Sequence, residues 1–421
     1  MTTDGTGQIA AQDRPSLRAL WPVYAAFLVS QFGNWAFRAS VLYEIYRSQD
    51  ADRTVLGASV ILIYVPILFG SRLLAPLADR FSSKPLLIGL DAARACLLLP
   101  LLVLNDLRWQ QNAAVAMGVV ALLALSSPMF TAAQSAYIRR VVHEDDVRPA
   151  LAMISNIEWF TYVVGTVTGA LLLFGVGFSG IVLIDVVTFL VSLLTLSRFM
   201  RRERLVQSPR RQAAPGHGAW HPARPQVSLL VSIFLLNLGA GVINIYPTVV
   251  ASDVFHSGAT GLSQIYLGNG LGGFLGALLV HRLGKDKRPL SLLVAASGLV
   301  ALSLLGMSML AHPVVAIGAS SAMLLFGQIF GIVANAHLLK LHPVEEAGRA
   351  AGRFMAATFG GVAANAALFA FLPFTWGPES FTFFLLGCVV ASGAAVAVLG
   401  VSQVRTRECV DRGVAASAEI G

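Results

Sequence analysis

The sequence predicts an all-α integral membrane protein whose twelve transmembrane helices form two pseudo-symmetric six-helix bundles. Three observations predict it. The chain of 421 residues is 56% hydrophobic and only 12% charged, with a mean hydropathy of +0.71, outside the range of ordinary soluble domains. Apolar runs of about 20 residues, enough helix to cross a bilayer, recur from end to end. A basic turn in the first half also returns in the second. Ala75-Pro76-Leu77-Ala78-Asp79-Arg80-Phe81-Ser82-Ser83-Lys84 is echoed by Ala277-Leu278-Leu279-Val280-His281-Arg282-Leu283-Gly284-Lys285, the mark of an internal repeat.

The apolar runs place spans at 19–43, 55–78, 85–104, 113–136, 150–175 and 179–199, then at 227–250, 259–281, 289–311, 314–338, 353–373 and 381–402. Residues 1–200 are thus the amino-terminal bundle. Residues 227–421 are the carboxy-terminal bundle with a short cytoplasmic tail. Between them, 201–226 holds Pro209, Pro215, Pro222, Pro225 and several arginines without an apolar period, and reads as a cytoplasmic linker. Met1 to Asp13 is polar and acidic. The first apolar run is too long for a signal peptide and lacks a small-residue cleavage site, so it is expected to remain as the first helix.

Orientation follows from the basic residues. Of the 30 lysines and arginines, only Arg47, Arg53 and Arg108 fall in the outer loops when the amino terminus is placed inside, and Arg38, Arg72 and Arg94 fall within spans. The rest lie in inner segments, so both termini are expected in the cytoplasm. The net charge of +8 is then a topology signal, and nucleic acid is not an expected partner.

Two further echoes support duplication. Arg140-Val141-Val142-His143-Glu144-Asp145-Asp146 aligns with Lys340-Leu341-His342-Pro343-Val344-Glu345-Glu346, and Gln31-Phe32-Gly33 aligns with Asn237-Leu238-Gly239. Cys96, Cys388 and Cys409 show no pairing or metal-ligand spacing and read as space-filling. No nucleotide-binding loop or nucleophile–base motif is visible. Gly270-Leu271-Gly272 has no strand before it and reads as helix packing. No cofactor, metal or enzymatic activity is expected.

These residues resemble the major facilitator superfamily, whose signature after the second helix runs G-x-L-A-D-R-x-G-R-K. Leu77-Ala78-Asp79-Arg80 and Lys84 match it, while Ala75 and Ser82 replace its glycines. Gly33-Asn34-Trp35, Asp91-Ala92-Ala93-Arg94, Ser127-Pro128 and Ile184-Asp185-Val186-Val187-Thr188-Phe189-Leu190 are similar to the enterobactin-exporter and macrolide-efflux branch. Two departures stand out. Asn34 replaces an acid common in the branch, and Gly165-Thr166 stands where drug–proton antiporters carry Gly-Pro. The resemblance implies a secondary active transporter working by alternating access, without an ATP site. It implies proton-coupled efflux of a drug-like compound, secondary metabolite or siderophore. An importer or facilitator of a small polar solute is the alternative on this fold. The bilayer, protons and a small-molecule substrate are the expected partners of a monomer in the inner (plasma) membrane.

Ionisable groups inside apolar spans are costly, at least about 2.5–3.5 kcal/mol each, and point to function. Glu158, about eight residues into the fifth span, reads as a proton-coupling site or as a structural partner of Arg38 or Arg94. Asp185 in the sixth span reads as an interhelical hydrogen-bonding group or a proton site. Arg38 shares a face with Asn34 and either lines the cavity or snorkels to the headgroups. Asp79, Arg80 and Lys84 read as a cytoplasmic gate or, for the two bases, as topology signals. Asp91 and Arg94, three apart, read as a local pair bracing that gate. Gly165 and Gly169, and Gly268, Gly272 and Gly276, form small-residue stripes. The resemblance places these at the seam between bundles, where they serve sliding or static packing. Trp21, Trp35, Tyr43, Tyr46, Trp109 and Trp376 suit an interfacial belt, whereas Trp159 and Phe160 could line a cavity. The second half offers amides instead, among them Asn237, Asn244, Asn269 and Asn365.

Overall fold

The computed structural model describes residues 20–48, 52–74, 77–78, 81–104, 109–142, 144–200, 224–283, 289–341, 347–372 and 377–418. Its helices are α1 (Trp21–Ser48), α2 (Arg53–Leu73), α3 (Ser83–Leu104), α4 (Trp109–Val141), α5 (Glu144–Phe199), α6 (Arg224–Ala240), α7 (Tyr246–Val249), α8 (Gly258–Leu283), α9 (Pro289–Met307), α10 (Pro313–Lys340), α11 (Ala347–Phe371) and α12 (Pro378–Ala418). Nine helical stretches among the described residues are long and apolar enough to cross a membrane.

Among the described residues the helices number eleven long runs where the sequence predicts twelve spans, because the fifth and sixth spans meet at a kink without a loop. α5 counts 56 residues but is two helical arms that meet at a kink, each long enough to cross a hydrocarbon core of about 30 Å. Gly177 interrupts it with φ 70° and ψ 176°, a conformation essentially confined to glycine. One residue therefore does the work of a loop.

The predicted seventh span is also irregular. α6 runs into the 3-10 turn Gly241–Asn244, then α7, then the π-helical turn Val250–Val254. Pro247 lies in the first turn of α7, where it lacks an N–H to continue the ladder. Short 3-10 and π segments inside a helix mark hinges or functional sites.

The chain divides into two compact units, one of Met1–Val41 and Phe69–Gly216, the other of Leu42–Leu68 and His217–Gly421. The end of α1 and most of α2 thus pack with the second unit. In the first, Val23, Phe27, Leu87, Phe130, Tyr137, Ile157 and Leu196 belong to one buried apolar cluster, and α3 packs along α4 and α5. In the second, α10 packs on α8 and α9, and α6 on α11 and α12. Phe369, Phe381 and Phe384 stack in its core, with Tyr246 against Phe381.

Candidate functional site

In the first unit, α1 presents Gln31, Asn34, Trp35 and Arg38 on one face, as their three- and four-residue spacing dictates. Asn34 Nδ2 donates to Gln31 Oε1 at 3.3 Å. The Arg38 guanidinium lies 5.1 Å from the Trp35 ring centroid, a cation–π distance. Trp35 meets Tyr162 edge-on at 4.8 Å, and Tyr162 meets Trp159 at 5.7 Å. Aromatic rings thus bridge α1 and the first arm of α5. Glu158 lies one turn before Tyr162 and is exposed. The two ion pairs among the described residues, Arg47–Glu44 and Arg94–Asp91, do not include it. The pairing with Arg38 or Arg94 that the sequence left open for Glu158 is therefore not what holds it.

α1 comes this close because glycines admit it. A β-carbon at Gly165 would lie 2.8 Å from the Phe32 carbonyl oxygen and 2.9 Å from Trp35 Cβ, and one at Gly169 would lie 2.6 Å from Ala36 Cα. Ser40 Oγ donates to the Gly169 carbonyl at 3.2 Å. The stripe on α8 works in the same way against α10. Gly268 faces Ser321 and Ile317, Gly272 faces the Ser321 carbonyl, and Gly276 faces the Leu325 carbonyl and Gln328. Each stripe thus seats two helices of its own unit against each other. Small residues permit close approach to any neighbour, and the spacing does not name which one.

Deeper in the first unit lies a charged cluster. Asp91, Arg94 and Asp185 are all buried. Arg94 Nη1 stands 3.9 Å from Asp91 Oδ1, the predicted i, i+3 pair. The Asp79 turn that the pair is expected to brace lies outside the described residues. Ser192 Oγ on α5 donates to Asp91 Oδ2 at 2.6 Å, and Arg94 Nε donates to Ser126 Oγ on α4 at 2.9 Å. The guanidinium lies 4.6 Å from the Phe130 ring centroid and 5.9 Å from that of Phe189. Asp185 sits on the second arm of α5, where Thr188 Oγ1 donates to the Asp185 backbone oxygen at 2.8 Å and lies 3.3 Å from Oδ1. Opposite, a β-carbon at Gly33 would lie 2.5 Å from Asp185 Oδ1 and 2.1 Å from Thr188 Oγ1. Sequence reasoning missed Ser126, Thr188 and Ser192. The signal was present, since Asp185, Thr188 and Ser192 recur on one face of α5.

Of the predicted gate, Asp79 and Arg80 lie outside the described residues. Lys84 Nζ donates to the carbonyls of Ser197 at 2.8 Å and Met200 at 2.5 Å, capping the end of α5 where the helix leaves carbonyls unpaired. Arg140 reaches the Phe81 carbonyl at 3.5 Å and Ser83 Oγ at 3.4 Å, joining the end of α4 to the start of α3.

In the second unit the buried polar side chains among the described residues are neutral, with Asn269, Asn365, Thr248 and Ser392 prominent. Asn365 Nδ2 donates to the Leu238 carbonyl at 2.7 Å and to Cys388 Sγ at 3.3 Å. At the irregular segment, Tyr64 donates to Asn244 Oδ1 at 2.5 Å, and Asn244 Nδ2 donates to the Gly241 carbonyl at 3.1 Å. Tyr46 donates to Asp253 Oδ2 at 2.5 Å. Arg53 donates to the Leu372 carbonyl, and Gly57 lets α2 close on Ala366 and Ala370 of α11. No three His, Cys, Asp or Glu side chains converge as metal ligands among the described residues.

Solved structures share this fold at low identity. A bacterial homologue of the iron transporter ferroportin, in an inward-facing state, matches with a TM-score of 0.66 and 15% identity over 92% of this chain and 99% of that one. The nucleoside transporter NupG matches with a TM-score of 0.68 and 12% identity over 92% and 100%. A peptide transporter POT in complex with alafosfalin matches with a TM-score of 0.67 and 14% identity over 93% and 94%. No curated protein sequence matches the chain. The family model of the Major Facilitator Superfamily matches residues 21–365. With its apolar helices and these transporter folds beside it, the chain belongs to the Major Facilitator Superfamily and is a multi-pass membrane transporter.

Proposed function

We propose that this transporter expels drug-like compounds, secondary metabolites or siderophores by alternating access, driven by proton entry, as in the enterobactin-exporter and macrolide-efflux branch. In this reading α5 crosses the membrane twice, which makes twelve crossings. Residues 1–200 and 227–421 are the two six-helix bundles, joined by a cytoplasmic linker at 201–226. The protein works as a monomer in the inner (plasma) membrane with both termini in the cytoplasm, and Asp79, Arg80 and Lys84 mark its cytoplasmic gate.

The observation that carries the reading is Glu158. It is an exposed carboxylate in an apolar helix, in neither ion pair, next to Trp159 in the chain and one turn before Tyr162, whose ring meets those of Trp159 and Trp35. A carboxylate at such a depth is expensive to keep charged, so it exchanges a proton readily when its surroundings change. The rings and Arg38 offer stacking and cation–π contacts to a bulky, partly apolar ligand. Asn34 and Gln31 add neutral hydrogen bonds on the same face.

The test is uptake of dyes, macrolides and siderophores into inside-out vesicles, with and without an imposed proton gradient. Gradient-driven accumulation that is lost in Glu158→Gln is expected. Accumulation that persists in this variant removes Glu158 from coupling. A wild-type protein that accumulates none of these compounds, yet moves a small polar solute inward in right-side-out vesicles, overturns efflux in favour of import.

A further inference from the structure

We infer that Asp185 is a proton-binding site enclosed within the first unit, and that its proton keeps α1 seated on α5 at Gly33. The inference deepens the proton-driven reading above, and on that point it rests on it. It concerns a carboxylate set apart from Glu158, with a different consequence for the backbone.

The argument begins with charge. Two carboxylates, Asp91 and Asp185, share one guanidinium, and all three side chains are buried. Asp91 has the better claim on the arginine. No described donor hydrogen-bonds its Oδ1, but that oxygen faces Arg94 at 3.9 Å, and its Oδ2 accepts a hydrogen bond from the Ser192 hydroxyl at 2.6 Å. Arg94 spends its Nε on Ser126 and its flat face on Phe130. What is left for Asp185 is the Thr188 hydroxyl, whose shorter contact goes to the backbone oxygen of Asp185 itself. No described donor reaches Asp185 Oδ2. A buried carboxylate with one long hydroxyl contact on one oxygen and no donor on the other is far less stable than the neutral acid. The three groups therefore reach neutrality as one ion pair and one carboxylic acid, with the proton on Asp185. Among the described residues, Asp91 and Arg94 on α3 are the ionisable groups that bear on it. α1 meets it with Gly33, and α5 adds only Thr188.

The second half of the argument is steric. Gly33 brings the α1 backbone so near that even a methyl group would collide with Asp185 Oδ1 and Thr188 Oγ1. That closeness suits a neutral acid. An ionised Asp185 needs donors on both oxygens: Oδ2 has none among the described residues, and Oδ1 has only the long Thr188 contact on the crowded side facing Gly33. Loss of the proton therefore favours parting of α1 from the second arm of α5, which lets water in. Proton occupancy and the position of α1 are linked, and each biases the other.

The experiment uses the full chain reconstituted in liposomes and needs no transported compound. Infrared spectra across pH should show a carboxylic acid C=O band near neutral pH that Asp185→Asn removes and Glu158→Gln leaves in place. Hydrogen exchange of peptides covering 27–40, corrected for intrinsic rates, should speed up at least tenfold as that band disappears with rising pH. In Asp185→Asn, a neutral mimic, the peptides should stay protected. An unchanged band in Asp185→Asn overturns the proton site, and an equal loss of protection in that variant overturns the link to α1. If Asp185→Asn fails to fold, Thr188→Val supplies the second arm. It removes the hydroxyl near Oδ1, so the band should persist to higher pH, and an unmoved midpoint overturns the assignment. These outcomes are separate from the vesicle assay. Proton-driven export that survives Asp185→Asn but not Glu158→Gln would leave the function standing and remove this site from it.

Discussion

The crossing of α1 with α5 and the crossing of α6 with α11 are the same joint made twice. A β-carbon at Gly165 would meet the Phe32 carbonyl oxygen, Trp35 Cβ and the Ala36 nitrogen. One at Gly361 would meet the Phe234 carbonyl oxygen, Asn237 Cβ and the Leu238 nitrogen. The sterics are shared, and the chemistry is not. The first joint carries Trp35, Arg38 and Tyr162 and lies beside a buried Asp91–Arg94–Asp185 cluster, whereas the second carries Asn237 and Asn365. Backbone contact at a helix crossing has few solutions, so it persists in both copies. Side chains around it have diverged, one copy handling charge and the other neutral hydrogen bonds.

This comparison can be broken or sharpened by substitution, read as thermal unfolding of the purified protein in detergent. Arg94→Ala should have the largest effect, about 3–5 kcal/mol, because it strands the buried carboxylate of Asp91. Restoring neutrality with Asp91→Asn in the same chain should recover part of that loss. Next come Gly165→Ala and Gly361→Ala. Each forces a β-carbon against backbone and should destabilise by about 1–3 kcal/mol, and the two values should match within experimental error if the joints are equivalent. Asn365→Ala, the neutral counterpart of the arginine change, should lose only about 1 kcal/mol, the net worth of a hydrogen bond. Lys84→Met should be smallest, about 0.3–1 kcal/mol, because it removes a cap at a helix end. A loss in Asn365→Ala as large as in Arg94→Ala would mean that the second unit does not differ from the first in this way.

Much of the architecture was legible in the sequence because hydrophobic length is a one-dimensional quantity. The spans at 85–104, 289–311 and 314–338 sit close to α3, α9 and α10. The junction near residue 177 is different. Hydropathy sees two apolar runs there, and only backbone angles show that a single glycine joins them. The echo of Gln31-Phe32-Gly33 in Asn237-Leu238-Gly239 holds for the glycines, since a β-carbon at Gly33 would meet Thr188 Oγ1 and one at Gly239 would meet Ser392 Oγ. The crossings with α5 and α11 instead pair Phe32 with Phe234 and Trp35 with Asn237, one turn away. A slip of four residues leaves a helix face unchanged, so pattern alone does not exclude it. The site was legible in kind. Asp91, Arg94 and Asp185 stood out as charges in apolar spans. Their grouping did not, because it depends on which faces of α3 and α5 meet. The glycine stripes announced close packing, but the partners, α1 and α10, required three dimensions.

Gly177 has one more consequence. Elsewhere in a membrane protein, loops absorb the accidents of evolution and the insertions of experimenters. Here the arm bearing Glu158 and the arm bearing Asp185 are joined with no slack between them. A spliced tag or a deletion at this point, or a side chain that resists a positive φ, would change the direction in which the two arms leave their joint.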